Sequence, residues 1–516
     1  MCGIVAAVGG GSDAVRAGLV GAGLRRIEHR GSPGTRHEDA HAVTAAAHLG
    51  TNRLPIVGGP AGRQPVTSRS GATVVVHNGE VYNFRELAAE LGLPAAAATS
   101  DTAVLAELVE ARGVRAALRA VHWEGVLVAA DERTGTVVAA RDHLGIKPLY
   151  LVRAGEVTVL ASEIKALLDV PGAERITEVP PGALVTFAPS SAEPVADTWW
   201  DAADVVRARP SDVRPGAALD DVARTVRDAV HARVPDEPYA VMLSGGLDSS
   251  LVLAHALERS RDVTAFVLYR EGSPDVDVAR RLCDDLDVEL VEVVGHDPHE
   301  LWEHAGQVVG IVESWEWHVV NHAAPMLRLV DAVAASGRRV VLTGEGADEL
   351  FFGYTERGAD GAVLTDPDAL ERRRVDRLRA LHRTNCQRLD RMSMHRTLEC
   401  RVPFLDVAVV EAALRHPAPA HLEGGRTKSL LRDAARRVLP AYVTDRDKLS
   451  LAKGAGYVYD AVRGGGVFHV PDQGVRDAVD AAVETFPYRF PVERALVDHF
   501  VRHGYDRAAF MREATV

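Results

Sequence analysis

Cys2 stands directly after the initiator methionine in the opening sequence MCGIVAAVGG, where its thiol could act as a nucleophile. Removal of the methionine would make Cys2 the first residue, so that a thiol and an α-amine would belong to one residue. Such an amine can serve as the base that activates the nucleophile. The alternative is a small residue without a chemical role. The remaining candidate residues of the chain must decide between these two interpretations.

Three further sequences in the front half could act together with this thiol. In HNGEVYN, the Asn78 amide and the Gly79 N–H could form an oxyanion hole, although Asn-Gly is also a common hairpin turn. In TNRLPIV, Arg53 could bind a carboxylate through two hydrogen bonds. In TSDTAVL, Asp101 could bind an amine or simply cap the helix that follows. Together these residue types are those needed to hydrolyse the amide of an amino acid.

The sequence VMLSGGLDSSL in the rear half predicts an anion site. An apolar strand ends in Ser244, Gly245 and Gly246, and Asp248 and Ser249 open a helix. Glycines allow close backbone approach, and the N–H groups of a helix N-terminus attract phosphates. The alternative is a structural glycine turn. The lysine of a Walker sequence is absent, so we expect a different nucleotide-binding loop.

Glu345, Asp348 and Glu349 follow another apolar strand, in VVLTGEGADELFFGY. Ligands of open parallel sheets bind beyond the C-terminal ends of the strands. Asp248 and Asp348 would come from two such ends, and their hard oxygens suit a Mg²⁺ ion that bridges phosphates. A preference of helix N-termini for acidic residues would explain one of these residues but not all. Lys448, in TDRDKLSLAKGAGY, is a candidate counter-charge for phosphates, whereas a loop lysine usually faces solvent.

The elements that must position these residues fall into two parts. Residues 1–190 read as short strands with a few helices, which indicates packed antiparallel sheets. Residues 191–215 are rich in Pro, Ser and Asp and are predicted to be a linker. Residues 216–516 alternate helical patterns with the strands YAVMLSGG, VTAFVLY, VELVEVV and RRVVLTGEG. This alternation predicts a parallel sheet with helices on both faces.

Composition excludes several classes of protein. The 516 residues carry a formal net charge of −13, which argues against a nucleic-acid partner. The four cysteines are far apart and fit neither a disulfide framework nor a CxxC metal site. The sequence contains no signal peptide and no run of 18 apolar residues. We therefore expect a cytoplasmic protein that does not associate with membranes.

The motifs resemble a known family. Cys2-Gly3-Ile4, HRG, NRLPIV, HNGEVYN, SDTAVL and RDHLGIKPLY are similar to the class II glutamine amidotransferase domain. SGGLDSS, TGEGADEL, DRMSMHRTLECRVPFLD and KLSLAKGAGY resemble the synthetase domain of glutamine-hydrolysing asparagine synthetases. The resemblance implies an N-terminal α+β Ntn-hydrolase domain, an αββα sandwich of antiparallel sheets. It also implies a C-terminal α/β ATP-pyrophosphatase domain, similar to the adenine nucleotide α-hydrolases.

The resemblance also implies a role for each candidate residue. Cys2 would release ammonia from glutamine, and the ammonia would pass through an internal channel to an acyl-adenylate made from MgATP and a carboxylate acceptor, giving amide, AMP and pyrophosphate. ATP and Mg²⁺ are thus the implied cofactors, and a homodimer is allowed. The implied roles are: catalysis by Cys2, Asn78, Gly79, Glu345 and Lys448; glutamine binding by Arg53, Asn78, Gly79, Glu80 and Asp101; ATP binding by Leu243, Ser244, Gly245, Gly246, Asp248, Ser249, Leu268 and Gly344; metal binding by Asp248 and Asp348.

One stretch departs from the family pattern. Where asparagine synthetases carry a Thr-Thr-Ile-Arg-like sequence, this chain reads VESWEWHVVNHAAPM, which places Asn321 at the position of the arginine. Loss of a guanidinium that binds a carboxylate is not neutral. We therefore expect an acceptor other than L-aspartate, in specialised (natural product) metabolism. The acceptor-pocket candidates are Trp315, Trp317, His318, Asn321, His322 and Phe352, each of which could instead pack ordinarily.

Three other interpretations stay open. The first is a true asparagine synthetase that converts L-aspartate to L-asparagine. The second is a cyclase similar to β-lactam synthetase, although such cyclases lose the nucleophile that Cys2 would supply. The third is a non-catalytic relative, which the retention of both sets of site residues disfavours.

Overall fold

A computed structural model of the chain describes residues 2–32, 41–44, 46–209, 215–358, 361–457 and 492–505. The chain divides into two compact units. Among the described residues, one unit comprises Cys2–Asp201 and Val501–Tyr505, and the other lies within Ala202–Phe500.

The first unit is built from two antiparallel six-stranded sheets. The strand order is β10-β8-β9-β1-β3-β2 in sheet 1 and β12-β11-β7-β6-β5-β4 in sheet 2. The strands are β1 Cys2–Gly9, β2 His41–Val43, β3 Ala47–Arg53, β4 Val66–Thr67, β5 Thr73–Val81, β6 Trp123–Asp131, β7 Thr136–Arg141, β8 Tyr150–Ala154, β9 Val157–Ala161, β10 Thr177–Glu178, β11 Ala183–Phe187 and β12 Pro194–Thr198. The helices are α1 Asp13–Arg26, α2 Phe84–Glu90, α3 Asp101–Arg112 and α4 Val114–Ala120.

Alternation along β5 explains the layers of this unit. Val74 and Val76 pack in a core that includes Ile4 of sheet 1, whereas Val75 points to the other face and packs against residues of α3 such as Leu105. Successive side chains of a strand point to opposite faces, so one apolar strand can serve two cores. Helix α1 packs on sheet 1 and α3 on sheet 2, which gives an αββα sandwich and confirms the predicted fold class.

The second unit contains one parallel sheet of order β15-β14-β13-β16-β17. Its strands are β13 Tyr239–Met242, β14 Val263–Tyr269, β15 Glu289–Val294, β16 Val340–Leu342 and β17 Glu399–Arg401. The remaining helices of the chain are α5 Ala202–Arg207, α6 Pro215–Arg233, α7 Leu247–Leu257, α8 Pro274–Leu286, α9 Pro298–Glu303, α10 Ala305–Val312, α11 Trp317–Ala323, α12 Met326–Ala335, α13 Ala347–Phe351, α14 Pro367–Ala380, α15 Asn385–Met394, α16 Val407–Leu414, α17 Ala418–His421, α18 Ser429–Ala435, α19 Ala441–Thr444, α20 Leu451–Gly454 and α21 Val492–Arg502. The parallel-sheet prediction is confirmed.

The predicted linker 191–215 contains regular structure, and the division between the two units falls inside it, after Asp201. It includes β12, which pairs with β11 at the edge of sheet 2, and α5, which begins the second unit. All five residues of β12 are exposed, so the strand is held by backbone pairing and lacks the apolar alternation that would have identified it. Residues 210–214 lie outside the described residues.

Two candidate active sites

Cys2 begins β1 and lies opposite Arg53 in the pairing of β1 with β3. Its backbone nitrogen donates to Oδ1 of Asn78 on sheet 2, at 2.9 Å. The thiol is buried, and burial raises its pKa, while the N-terminal amine, the Leu54 N–H and Arg53 act in the opposite direction. The Cys2 thiol therefore lies where the two sheets meet, and removal of Met1 would leave the α-amine on the same residue.

Asn78 and Gly79 fit an oxyanion hole. Because Asn78 Oδ1 accepts from Cys2, the amide turns Nδ2 elsewhere, and this buried donor has no hydrogen-bond partner among the described residues. An unpaired buried donor is costly unless a ligand accepts from it. At Gly79, a Cβ atom would lie 2.0 Å from the carbonyl oxygen of Glu124, so only glycine fits.

Arg53 and Asp101 lie beside this centre. The Arg53 guanidinium donates to the carbonyls of Gly59 and Val57 at 2.7 and 3.0 Å, and burial lowers its pKa. Asp101 is buried and accepts from the Val81 N–H at 3.2 Å.

The capping interpretation of Asp101 is wrong, because Ser100 is the residue that caps α3. Glu80 is also buried, on β5 next to the oxyanion residues. Burial in a low-dielectric site strengthens the interaction of such charged groups with a zwitterionic ligand.

Three buried polar residues of this site escaped the sequence analysis: Gln64, His77 and Thr102. Gln64 Nε2 lies 3.7 Å from Cys2 Sγ and 3.5 Å from Thr102 Oγ1. His77 was visible as the residue before Asn78, but nothing in AGRQPV indicates a site residue at Gln64.

In the second unit, the loop between β13 and α7 is held by hydrogen bonds among its own residues. Ser249 Oγ accepts from the Ser244 N–H at 3.1 Å, and the Gly246 N–H donates to Ser244 Oγ at 3.4 Å. Gly245 has φ +67°, a conformation that favours glycine. At Gly344, a Cβ atom would lie 2.7 Å from the Ser249 nitrogen, because the β16 end approaches this loop closely.

A lysine that was not predicted joins the two carboxylates assigned to a metal. Lys428 Nζ lies 2.6 Å from Asp248 Oδ2 and 2.5 Å from Asp348 Oδ1. Lys448 Nζ lies 2.5 Å from Asp348 Oδ2. Burial opposes the ionised carboxylate, but the two lysines lower the pKa of Asp348 to about 2. The structure thus brings together Asp248, Asp348 and Lys448 as predicted, with Lys428 as a further member.

The carboxylates fit a magnesium site completed by phosphates. Asp248 Oδ1 is buried and has no hydrogen-bond partner among the described residues. No cluster of three or more His, Cys, Asp or Glu side chains suited to a metal occurs in the described part of the chain. Mg²⁺ commonly takes one or two carboxylates and completes its shell with water and substrate phosphates. A two-carboxylate site is therefore adequate only beside a nucleotide.

Glu345 belongs to a polar network on the same side of the sheet. Its carboxylate accepts from Arg388 Nη2 at 2.7 Å and from Asn385 Nδ2 at 2.8 Å. The same amide nitrogen lies 3.1 Å from Glu349, which also accepts from the Tyr354 hydroxyl at 2.9 Å. Burial, together with the charges of Asp348 and Glu345, raises the pKa of Glu349 to about 7.

Most of these groups line one cavity of about 460 Å³, but Gly245, Gly246 and Lys428 do not contribute to its wall. The predicted residues in its wall are Leu243, Ser244, Asp248, Ser249, Leu268, His318, His322, Gly344, Glu345, Asp348 and Lys448. Arg377, Thr384, Asn385 and Arg388 also line it, and none of them was predicted. The cavity brings the loop after β13 together with Glu345, Asp348 and Lys448.

The structure places two of the six acceptor-pocket candidates in the cavity wall. His318 and His322 line the cavity, whereas Trp315, Trp317, Asn321 and Phe352 do not. Burial and the charge of Arg388 lower the pKa of His322 to about 4, so its imidazole is neutral at pH 7. Its Nδ1 donates to the His318 carbonyl at 2.7 Å.

Phe352 is fully buried in a different cluster, with Leu370 and Ala418, and has φ +58°. A glycine would suit this conformation better than Phe352 does. Phe352 therefore has a packing role and does not narrow the cavity.

Comparison with known proteins matches both halves of the chain. A glutamine amidotransferase domain model matches residues 1–205, and an asparagine synthase model matches residues 221–368 and 360–465. The asparagine synthetase B [glutamine-hydrolyzing] of Escherichia coli (strain K12) is 30% identical over 499 residues, with 91% of this chain and 84% of the relative covered. The chain belongs to the asparagine synthetase family. Membership of this family makes it a ligase that forms carbon–nitrogen bonds with glutamine and ATP.

Other relatives agree with this assignment. The asparagine synthetase [glutamine-hydrolyzing] of Sandersonia aurantiaca is 29% identical over 527 residues, covering 96% of this chain and 94% of that protein. Among solved structures, the glutamine phosphoribosylpyrophosphate amidotransferase from B. subtilis is 17% identical with a TM-score of 0.31, covering 57% of this chain and 66% of that one. The fold is instead assigned from the three sheets and their strand orders. None of the described helices combines the length and apolar character needed to cross a membrane.

Proposed function

We propose that Cys2 hydrolyses glutamine with its own α-amine as the base. The thiol proton passes to the amine, sulfur attacks the side-chain carbonyl carbon, and the tetrahedral oxyanion accepts from Asn78 Nδ2 and the Gly79 N–H. Collapse breaks the C–N bond, and the amine returns the proton to the departing ammonia. Water then cleaves the thioester to glutamate. The observation that carries this proposal is the 2.9 Å contact of the Cys2 nitrogen with Asn78, whose Nδ2 has no described partner.

We assign the binding of glutamine to Arg53 and Asp101. Arg53 would hold the α-carboxylate and Asp101 the α-ammonium, with Glu80 beside them. Supporting this, one cation and one anion lie buried within the same site as the thiol.

In the second unit, residues 244–249 would hold the ATP phosphates. Asp248 and Asp348 would hold Mg²⁺, which when bound neutralises phosphate charge. Lys428 and Lys448 would stabilise the charge that develops on the departing pyrophosphate. An acceptor carboxylate oxygen attacks the α-phosphorus, the bond to pyrophosphate breaks, and an acyl-adenylate forms.

Ammonia would then replace AMP on the acyl carbon. The nitrogen attacks, one proton passes from the adduct to Glu345, and AMP leaves with the electron pair of the broken C–O bond. The Glu345 contacts to Arg388 and Asn385 fix its carboxylate in the cavity wall.

We propose that the acceptor is a carboxylate other than L-aspartate. Supporting this, Asn321 replaces the family arginine, is fully buried and contributes nothing to the cavity wall, while His318 and His322 do. L-Aspartate is the second candidate, and a specific observation favours it: the guanidinium groups of Arg388 and Arg377 line the cavity. Each already binds a carboxylate of the protein, Glu345 and Glu356 respectively, so a second carboxylate would have to share it.

The test is pyrophosphate release with MgATP and glutamine across a panel of carboxylates that includes L-aspartate, followed by mass spectrometry of the product. The proposal predicts release with an acceptor other than L-aspartate exceeding release with L-aspartate. Preferential conversion of L-aspartate to L-asparagine would overturn the acceptor proposal and leave the chemistry intact.

Cytoplasmic localisation and a homodimer stay predictions. Sedimentation of the purified chain tests the dimer, and fractionation of its source cells tests the location.

A further inference from the structure

The side chain of Gln64 makes three contacts inside the thiol site. Its Oε1 accepts from the His77 backbone N–H at 2.6 Å, and its Nε2 lies 3.7 Å from Cys2 Sγ and 3.5 Å from Thr102 Oγ1. An amide nitrogen has two hydrogens, so both contacts can be donated at once. The His77 backbone N–H fixes the orientation of the Gln64 amide, because the atom that faces this donor must be the acceptor Oε1 and not Nε2.

The indole of Trp123 orients the rest of the network. Its Nε1 can only donate, and it lies 2.8 Å from His77 Nε2, so the proton of the neutral imidazole is on Nδ1. Nδ1 then donates to Thr102 Oγ1 at 3.2 Å, and the threonine hydroxyl donates to Asp101 Oδ1 at 3.4 Å. A continuous path of hydrogen bonds therefore runs from the thiol to the proposed ammonium ligand.

We propose that Gln64 is a positioning residue for glutamine hydrolysis, which donates from Nε2 to Cys2 Sγ and connects the thiol through Thr102 to Asp101. The inference rests on the proposed role of Cys2 as the nucleophile. It adds a residue that touches the nucleophile and that no motif indicated.

The physical effect of Gln64 is to favour the thiolate. Burial opposes ionisation of Cys2, and an N–H donor at sulfur offsets part of that cost. The charged groups acting on the thiol are the N-terminal amine, Arg53 on β3 and Glu80 on β5. Asp101 on α3 is joined to Gln64 by Thr102.

The test replaces Gln64 in the full chain and follows glutamate release against pH. In Gln64→Met, the acid limb of kcat/KM for glutamine should move upward by about one pH unit, the size expected from one hydrogen bond to a charged group. In the isosteric Gln64→Glu, whose carboxylate also repels the thiolate, it should move upward by at least as much. Alkylation of Cys2 by iodoacetamide, located by mass spectrometry, should move by the same amount. The matched control is Gln387→Met, which removes a buried amide that donates to the Val312 carbonyl in the second unit, and its profile should equal wild type.

Wild-type pH profiles and alkylation midpoints in both Gln64 variants would overturn the inference. Circular dichroism shows which variants are folded, and Gln64→Glu, which keeps the oxygen for the His77 N–H, tests the inference if Gln64→Met unfolds. Cys2→Ala distinguishes an error in the proposed nucleophile from an error in the positioning role of Gln64. If it still releases glutamate, the proposed nucleophile is wrong; if it does not and the Gln64 variants behave as wild type, only the positioning role is wrong.

Discussion

Replacing Lys428 by methionine removes the ammonium that two carboxylates share, each with 14% of its side chain exposed. Lys428 is 2% exposed, and its Nζ contacts Asp248 and Asp348 at 2.6 and 2.5 Å. Breaking a buried ion pair costs about 3–5 kcal/mol, because the remaining charge is unpaired. Lys448 still neutralises Asp348, so we expect the lower end, about 3 kcal/mol. For a unit of this size, that free energy corresponds to a fall in Tm of about 5 °C.

Thermal unfolding by calorimetry measures this effect, with Lys453→Met as the control. Lys453 is exposed on α20 of the same unit, and its replacement should leave Tm unchanged. Mg²⁺ should raise the Tm of Lys428→Met more than that of wild type. In the variant, Asp248 and Asp348 no longer share the Lys428 ammonium, so a divalent cation that binds them relieves more charge repulsion. AMP formation should fall at least about 100-fold. Equal Tm values for the Lys428 and Lys453 variants, with unchanged AMP formation, would refute the assignment of Lys428 to the site.

Three other expectations follow from the two sites. Cys2→Ala should abolish the use of glutamine while ammonium salts still support synthesis, measured as AMP with either nitrogen donor; equal glutamine use would contradict the nucleophile assignment. Glu345→Gln should stop synthesis from both nitrogen donors and spare glutamate release, and retained synthesis would exclude Glu345 as the base. The pKa of His322 is lowered to about 4, below its ordinary value of about 6.5, so the unfolded chain binds the proton more strongly. The free energy of unfolding should therefore fall by about 2 kcal/mol as pH falls from 6.5 to 4, and His322→Gln should lose this dependence; chemical denaturation across that range would contradict it if the two proteins behaved alike.

Residues in short local motifs could be predicted from the sequence. Asn78 and Gly79 lie in one turn-like sequence, and the loop from Ser244 to Ser249 joins a strand to a helix, so local order already brings the chemistry together. The strands β13 to β16 were likewise visible as apolar runs. Strand β17 was not visible, because two of its three residues, Glu399 and Arg401, are charged and it forms no apolar run.

Long-range contacts could not be predicted in this way. Lys428 is 180 residues from Asp248 along the chain, in a sequence without a phosphate-binding pattern. Gln64 reaches the thiol from a segment 62 residues away. Only the folded sheets bring these polar side chains beside the groups they pair with.

Four of the six acceptor-pocket candidates do not line the cavity, and for two of them the reason is geometric. His318 and His322 are four residues apart on α11 and share a face, whereas Trp317 and Asn321, one position earlier in each case, do not line the cavity. A sequence stretch identifies the helix, but the face that meets the cavity depends on how that helix packs.

The most direct test of the coupled reaction follows nitrogen and phosphorus together. The purified chain is supplied with MgATP, [amide-¹⁵N]glutamine and the acceptor panel, and the products are analysed by mass spectrometry and ³¹P NMR. We predict AMP, pyrophosphate and a ¹⁵N-labelled amide in equal amounts. ADP and phosphate in place of AMP and pyrophosphate, or an amide without the label, would contradict the account.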